Sequence, residues 1–137
     1  GLGAGLHALI GARLHTRYDI VMQYYDIDRY LRQADLVITA EGGIDFQTPY
    51  GKIPAEVARR AKGYNVPVIA LAGTVGQGAR DNYAHGITAF TSVVPRPCTL
   101  EEAFTRAAEF TAACAENVMQ MVLAGMQLNR RLVAAGD

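Results

Sequence analysis

Three short apolar runs, spaced widely enough for helical crossovers, constrain this chain more than any other feature. They are residues 35–40 (DLVITA), 66–72 (VPVIALA) and 87–93 (ITAFTSV). Each is rich in apolar and β-branched residues and short, as expected of a strand buried on both faces of a parallel sheet. Helical patterns separate them. Pro54 suits a first helical position, Val57, Ala58 and Ala61 share a face, and Gly63 can close that helix. A second helix is expected between the glycine-rich turn Gly73–Gly78 and about His85. The alternation predicts an α/β fold: parallel strands, right-handed crossovers and helices on both faces, giving three layers.

The flanks extend this reading. Residues 5–15 predict a short helix, with Leu6, Leu9, Ile10 and Leu14 near helical spacing. Tyr18 to Gln33 predicts one or two helical pieces, with Asp19 and Asp28 as candidate caps. Pro95 and Pro97 stop the third strand, and Thr99 with Glu102 forms a capping box for a long helix. Leu100, Phe104, Ala107, Thr111, Cys114, Val118 and Val122 give that helix its apolar stripe, and fraying is expected from Arg130 onward. The 137 residues fit one domain-sized segment without repeat or linker. Three strands make a small sheet. Further strands from outside the segment, or a homo-oligomer, are expected to cover it.

Thirteen basic residues balance thirteen acidic ones, so no global field favours nucleic acid or an anionic membrane as partner. Cys98 and Cys114 lack metal-like spacing and read as a reduced, cytosolic pair. No apolar run approaches the length of a membrane span, and the opening Gly1–Gly5 reads as a glycine loop rather than a charged leader. Cytoplasmic residence is the expectation.

Open α/β sheets bind ligands beyond the C-terminal ends of their strands, so the chemistry is sought there. After the first strand come Glu41, Asp45, Gln47, Thr48 and Lys52, with Lys52 beside a helix start. Carboxylates facing a lysine and the amides of a helix N-terminus suit phosphoryl transfer. A carboxylate can hold Mg²⁺ or orient a hydroxyl, and the cationic side can neutralise phosphate. From spacing alone the same residues also read as turn formers and a solvated charge. The loop is not a Walker A motif, because Phe46 stands at the required glycine and Ile53 follows Lys52. The glycines at 73, 76 and 78 allow close backbone approach and Thr74 adds a hydroxyl, but their order does not fit a dinucleotide-binding fingerprint. His7, His15 and His85 are scattered, so no metal ligand set is assigned. Met119, Met121 and Met126 read as packing residues. Ser92 lacks the His and Asp of a hydrolase triad.

The stretch from Ala34 to Ala58, ADLVITAEGGIDFQTPYGKIPAEVA, closely resembles the signature of the glycerate kinase family. The similarity continues through VPVIALAGTVG at 66–76, and includes the opening GLGAG and the helix start TLEEA at 99–103. Ala40 stands where the family usually has glycine, and Gly43 where it usually has arginine. The resemblance implies ATP- and Mg²⁺-dependent phosphorylation of D-glycerate to a phosphoglycerate by a longer, two-domain kinase. This chain would be the C-terminal part of its larger, flavodoxin-like domain, with the remainder of the kinase as its partner. The implied catalytic residues are Asp45, orienting or deprotonating the glycerate hydroxyl or holding Mg²⁺, and Lys52, stabilising the transferred phosphate. Glu41, Gln47, Thr48, Gly73, Thr74 and Gly76 are the implied substrate- or nucleotide-binding set. The alternatives are a non-catalytic flavodoxin-like module for a nucleotide or organic acid, and an assembly domain.

Overall fold

The computed structural model describes residues 1–15 and 24–135. The expected cap at Asp19 and the helical residues Ile20 and Val21 lie outside the described residues. The elements run in the order α1 (Leu2–Ile10), α2 (Ile27–Leu31), β1 (Val37–Ile44), α3 (Ile53–Gly63), β2 (Val68–Val75), a 3₁₀ helix (Ala79–Tyr83), β3 (Ala89–Ser92), α4 (Leu100–Thr105) and α5 (Ala107–Ala134). The three strands form one parallel sheet in the order β1-β2-β3, as the alternation predicts.

The core lies between the sheet and α3. Val68, Ala70 and Ala72 project from one face of β2 and cluster with Ala58 and Ala61 of α3, Leu31 of α2, and Ile44 and Ile87. Burying each of the larger aliphatic side chains there, Leu31, Ile44, Val68 and Ile87, stabilises the fold by about 1.5–3 kcal/mol. Leu71, pointing the other way, is buried on the side where α4 and α5 pass, and Phe110 and Val118 are the buried residues of α5. That arrangement makes the three layers. Cover is incomplete: Ile38 on the outer side of β1 is 41% exposed, and α1 buries none of its residues.

Both longer strands run further than the apolar runs suggest. Residues 41–44 and 73–75, expected as loops, remain in the sheet, with Gly43 opposite Thr74 and Ile44 opposite Val75. Glycine reads as a strand breaker, yet here its missing side chain lets β1 and β2 approach. A β-carbon on Gly73 would meet the Gly42 carbonyl oxygen at 2.7 Å.

The helices differ in detail. The first ends at Gly11, which takes a left-handed conformation (φ 66°), not at residue 15. Asp26, rather than Asp28, caps α2, and Asp28 instead pairs with Arg60 of α3 at 2.8 Å. The helix expected up to His85 is five residues of 3₁₀. Its end folds straight into β3, since the amides of both His85 and Ile87 donate to the Asn82 carbonyl. The long C-terminal helix breaks at Arg106 (φ −103°, ψ 15°) and then continues regularly through Ala134, past the point where fraying was expected. Thr99 caps α4 by accepting from the Glu102 amide at 3.2 Å. The reciprocal half of that box is replaced, because the Glu102 carboxylate binds Arg96 and Arg106. Both cysteines are free and half-buried.

Candidate active site

The chain leaves the C-terminal end of β1 at Ile44 and makes a tight turn before α3. Asp45 is the first residue of that turn, and everything around it serves to fix it. The Gln47 amide donates to Asp45 Oδ1 at 2.9 Å, and the Thr48 hydroxyl donates to the same oxygen at 3.3 Å. The Asp45 amide in turn donates to Thr48 Oγ1 at 3.0 Å. Lys52 closes the ring, its Nζ 3.6 Å from Asp45 Oδ1 and donating to the Gly43 carbonyl at 2.9 Å. Lys52 is also the N-cap residue of α3, followed by Pro54 in the first turn, so its charge stands at the positive end of an eleven-residue helix whose first turn is buried.

The carboxylate is ionised. Partial burial pushes the Asp45 carboxyl up, but the Gln47 amide, the Lys52 charge and the Thr48 hydroxyl outweigh it and hold it below the usual carboxylate range. About a third of the side chain remains open to solvent (33%). Oδ2 has no hydrogen-bond partner among the described residues.

A second wall comes from the end of β2 and the turn after it. The Gly76 amide donates to the Ile44 carbonyl at 2.7 Å, and the Phe46 amide to the Gln77 carbonyl at 3.0 Å. Gly76 lies so close that a β-carbon on it would reach Asp45 Cβ at 3.2 Å. Gly78 needs its left-handed φ of 72° and would collide with Phe46 Cβ at 2.7 Å if it carried a side chain. Asn82, fully buried in the 3₁₀ helix, donates to the Asp45 carbonyl at 3.0 Å and to the Ala79 carbonyl at 2.9 Å.

The structure thus brings Asp45, Thr48, Lys52 and Gly76 together. Gln47 contributes its backbone, while its side chain is exposed. Thr48 is wholly buried, and its hydroxyl faces Asp45. Gly73 sits inside β2 against the Gly42 carbonyl, and the Thr74 hydroxyl contacts that carbonyl at 3.4 Å. Glu41, half-buried, accepts from the Gly42 amide at 3.2 Å. It borders a cavity of about 470 Å³ whose other walls include Gly42, Leu71, Gly73, Val94, Phe104 and Thr111. This cavity opens at the ends of β1 and β2, where such folds bind ligands. Asn82 was not singled out from the sequence. An asparagine in a short turn carries no signal until the turn is placed against Asp45.

One turn along α3 lies a separate ionic cluster. Glu56 is 7% exposed and accepts two bonds from Arg59 and one from Arg60. Those guanidiniums, Arg59 first, hold its carboxyl below its ordinary range against the opposing effect of burial. Among the described residues no group of three or more His, Cys, Asp or Glu side chains is gathered as a metal site. No helix there is long and apolar enough to cross a membrane.

Residues 1–123 match the sequence model described as the glycerate kinase family. A glycerate kinase of Halalkalibacterium halodurans is 46% identical over 118 residues, which are 86% of this chain and 31% of that protein. The glycerate 2-kinase of Escherichia coli is 37% identical over 127 residues, 93% of this chain and 33% of its own. A crystal structure assigned to glycerate kinase 2 of Salmonella typhimurium LT2 superposes with a TM-score of 0.66 at 44% identity, covering 93% of this chain and 32% of that one. The chain therefore spans about a third of the length of the relatives it matches.

Proposed function

The chain belongs to the glycerate kinase family, and from that premise we propose that it is the C-terminal α/β segment of the larger domain of an ATP-dependent kinase that phosphorylates D-glycerate. The observation that carries this reading is the convergence of Asp45 and Lys52, 3.6 Å apart, beside the first turn of α3 at the end of a parallel sheet. A negative group fixed next to a positive one at a helix start is what phosphoryl transfer needs: one side receives the nucleophile and the other the phosphate.

In this reading the ionised Asp45 carboxylate accepts the hydrogen bond of the glycerate hydroxyl. It thereby aims the hydroxyl oxygen at the terminal phosphate of ATP and takes up its proton as the new O–P bond forms, while the bond from that phosphorus to the ADP oxygen breaks and ADP leaves. Lys52, at the start of α3, faces the negative charge that builds on the phosphoryl oxygens. Gly76 leaves room beside Asp45. Glu41, Gly42 and Gly73 border the cavity proposed to admit substrate or nucleotide.

The donor set fits magnesium, which commonly uses one or two carboxylates and completes its shell with phosphate oxygens and water. Glu41, which borders the cavity, would hold it, leaving the unengaged oxygen of Asp45 to the substrate hydroxyl. Bound there, it would offset the charge of the nucleotide phosphates. The rest of a kinase of the relatives' length is the proposed cover for the open side of β1, with a second copy of the chain as the competing occupant. Cytoplasmic residence follows from the same reading, since free cysteines and a nucleotide-dependent activity suit that compartment.

The test is an ADP-release assay with D-glycerate, ATP and Mg²⁺, run on the complete protein that carries this chain and on residues 1–137 alone. Turnover in the complete protein and none in the segment is expected. A complete, folded protein that leaves D-glycerate unphosphorylated would refute the reading.

A further inference from the structure

Asp45 has two carboxylate oxygens, and the structure treats them differently. Oδ1 accepts from the Gln47 amide at 2.9 Å and from the Thr48 hydroxyl at 3.3 Å, and faces Lys52 Nζ at 3.6 Å. Oδ2 has no hydrogen-bond partner among the described residues, although the side chain is a third exposed (33%). A carboxylate held by one oxygen cannot rotate about its Cβ–Cγ bond without breaking those contacts. Its second oxygen then points in one fixed direction.

Thr48 grips this group twice. Its oxygen accepts from the Asp45 amide at 3.0 Å, and its hydrogen goes to Asp45 Oδ1 at 3.3 Å. The side chain is completely buried, which removes it from any ligand's reach. Resting on the reading of Asp45 as the catalytic carboxylate, we propose that Thr48 is a positioning residue: its hydroxyl locks Asp45 Oδ1 so that Oδ2 alone meets the substrate hydroxyl. This replaces the substrate- or nucleotide-binding role that the sequence resemblance gives to Thr48. A one-oxygen arrangement suits the chemistry, because the hydroxyl oxygen must be held in line with the phosphorus, and small misplacements there are costly.

The experiment uses the complete kinase with Thr48→Val, which keeps the shape and removes the hydroxyl, and Thr48→Ser, which keeps the hydroxyl. Thr48→Val is expected to lower kcat by about 10- to 100-fold while leaving KM for glycerate and for ATP within about twofold of wild type. Thr48→Ser is expected to restore kcat to within about threefold. Should Thr48→Val not fold, Thr48→Ala against Thr48→Ser makes the same comparison. In an Asp45→Asn background, removing the hydroxyl should cost almost nothing further, since the threonine acts through Asp45.

Several outcomes would overturn the proposal. These are wild-type kcat in Thr48→Val, a raised KM at unchanged kcat, equal losses in the Val and Ser variants, or a full additional loss in the Asp45→Asn background. Failure of the underlying reading looks different: Asp45→Asn alone would then turn over normally, whatever Thr48 does.

Discussion

Gly43 and Thr74 face each other across the β1–β2 ladder, and a β-carbon at position 43 would stand 2.8 Å from the Thr74 hydroxyl oxygen. The obstacle is a side-chain atom, so it can move. Threonine carries two heavy atoms on its β-carbon, however, and only one rotamer turns its hydrogen toward position 43. Gly43→Ala should therefore destabilise the protein by about 1 kcal/mol. Thr74→Ala should restore most of that loss when the two are combined. Thermal unfolding of the two single variants and the double variant measures the coupling. Additive losses would show that the two positions do not compete for the space.

Gly73 offers the contrast, because its obstacle is the Gly42 carbonyl oxygen at 2.7 Å. Backbone cannot rotate out of the way without parting two paired strands. Gly73→Ala is expected to cost about 2–4 kcal/mol, with no rescue from any single side-chain change nearby. A midpoint within a degree or two of wild type would mean that the strands yield more readily than this packing allows.

Asp45→Asn removes the charge and keeps the shape, and should lower turnover by about 100-fold or more while the protein stays folded. The pH profile follows from the same geometry. The folded carboxyl lies below its unfolded value, so its contribution is fully present above the unfolded value, near about 4. That contribution is lost as pH falls through the lower, folded one. An acid limb of kcat/KM positioned below the usual carboxylate range is the expected result. A limb near neutral pH would assign the titration to another group.

The Glu56 cluster joins helices rather than performing chemistry. Arg60 bridges Glu56 within α3 and Asp28 of α2, at 2.7 and 2.8 Å. Glu56→Gln should destabilise the protein by about 1–3 kcal/mol, because a nearly buried acceptor loses its charge among guanidiniums. Its carboxyl is also lowered on folding, so this contribution too is present above the unfolded value and fades as acid takes the pH through the folded one. The gap in unfolding midpoint between wild type and Glu56→Gln should therefore narrow in acid. A constant gap from neutral pH down to acid denaturation would show that charge is not its source.

Thr99→Ala should cost about 1 kcal/mol by opening the start of α4. The Glu102 carboxylate, already committed to Arg96 and Arg106, is not free to take over the cap. Helicity by circular dichroism with thermal melting tests this, and an unchanged midpoint would mean that the cap adds nothing.

The layers were legible in the sequence because burial on two faces leaves a plain mark: apolar β-branched runs at 35–40 and 66–72, with helical spacing between. The ends of those strands were not. Gly42, Gly43 and Gly73 look like loop residues until one sees that two backbones meet there, a relation between positions 31 residues apart. Asp45 and Lys52 were visible as a pair beside a helix start. The inward turn of Thr48 and the reach of Asn82 depend on side-chain direction and on a contact across 37 residues, and no local pattern encodes either.

The backbone of Asp45 and its neighbours is held by partners far along the chain: Gly76 on Ile44, Gln77 on Phe46, Asn82 on Asp45. None of these bonds can form until β1 and β2 have paired and the chain has turned back from β2. Closing such separations is a late and slow event compared with forming a helix. In a refolding time course of the complete protein, helical signal should accordingly return well before turnover does. A partly folded chain with α3 complete would still lack the distant supports for the backbone around Asp45, so recovery of the proposed activity would report the pairing of β1 with β2 and the turn back from β2.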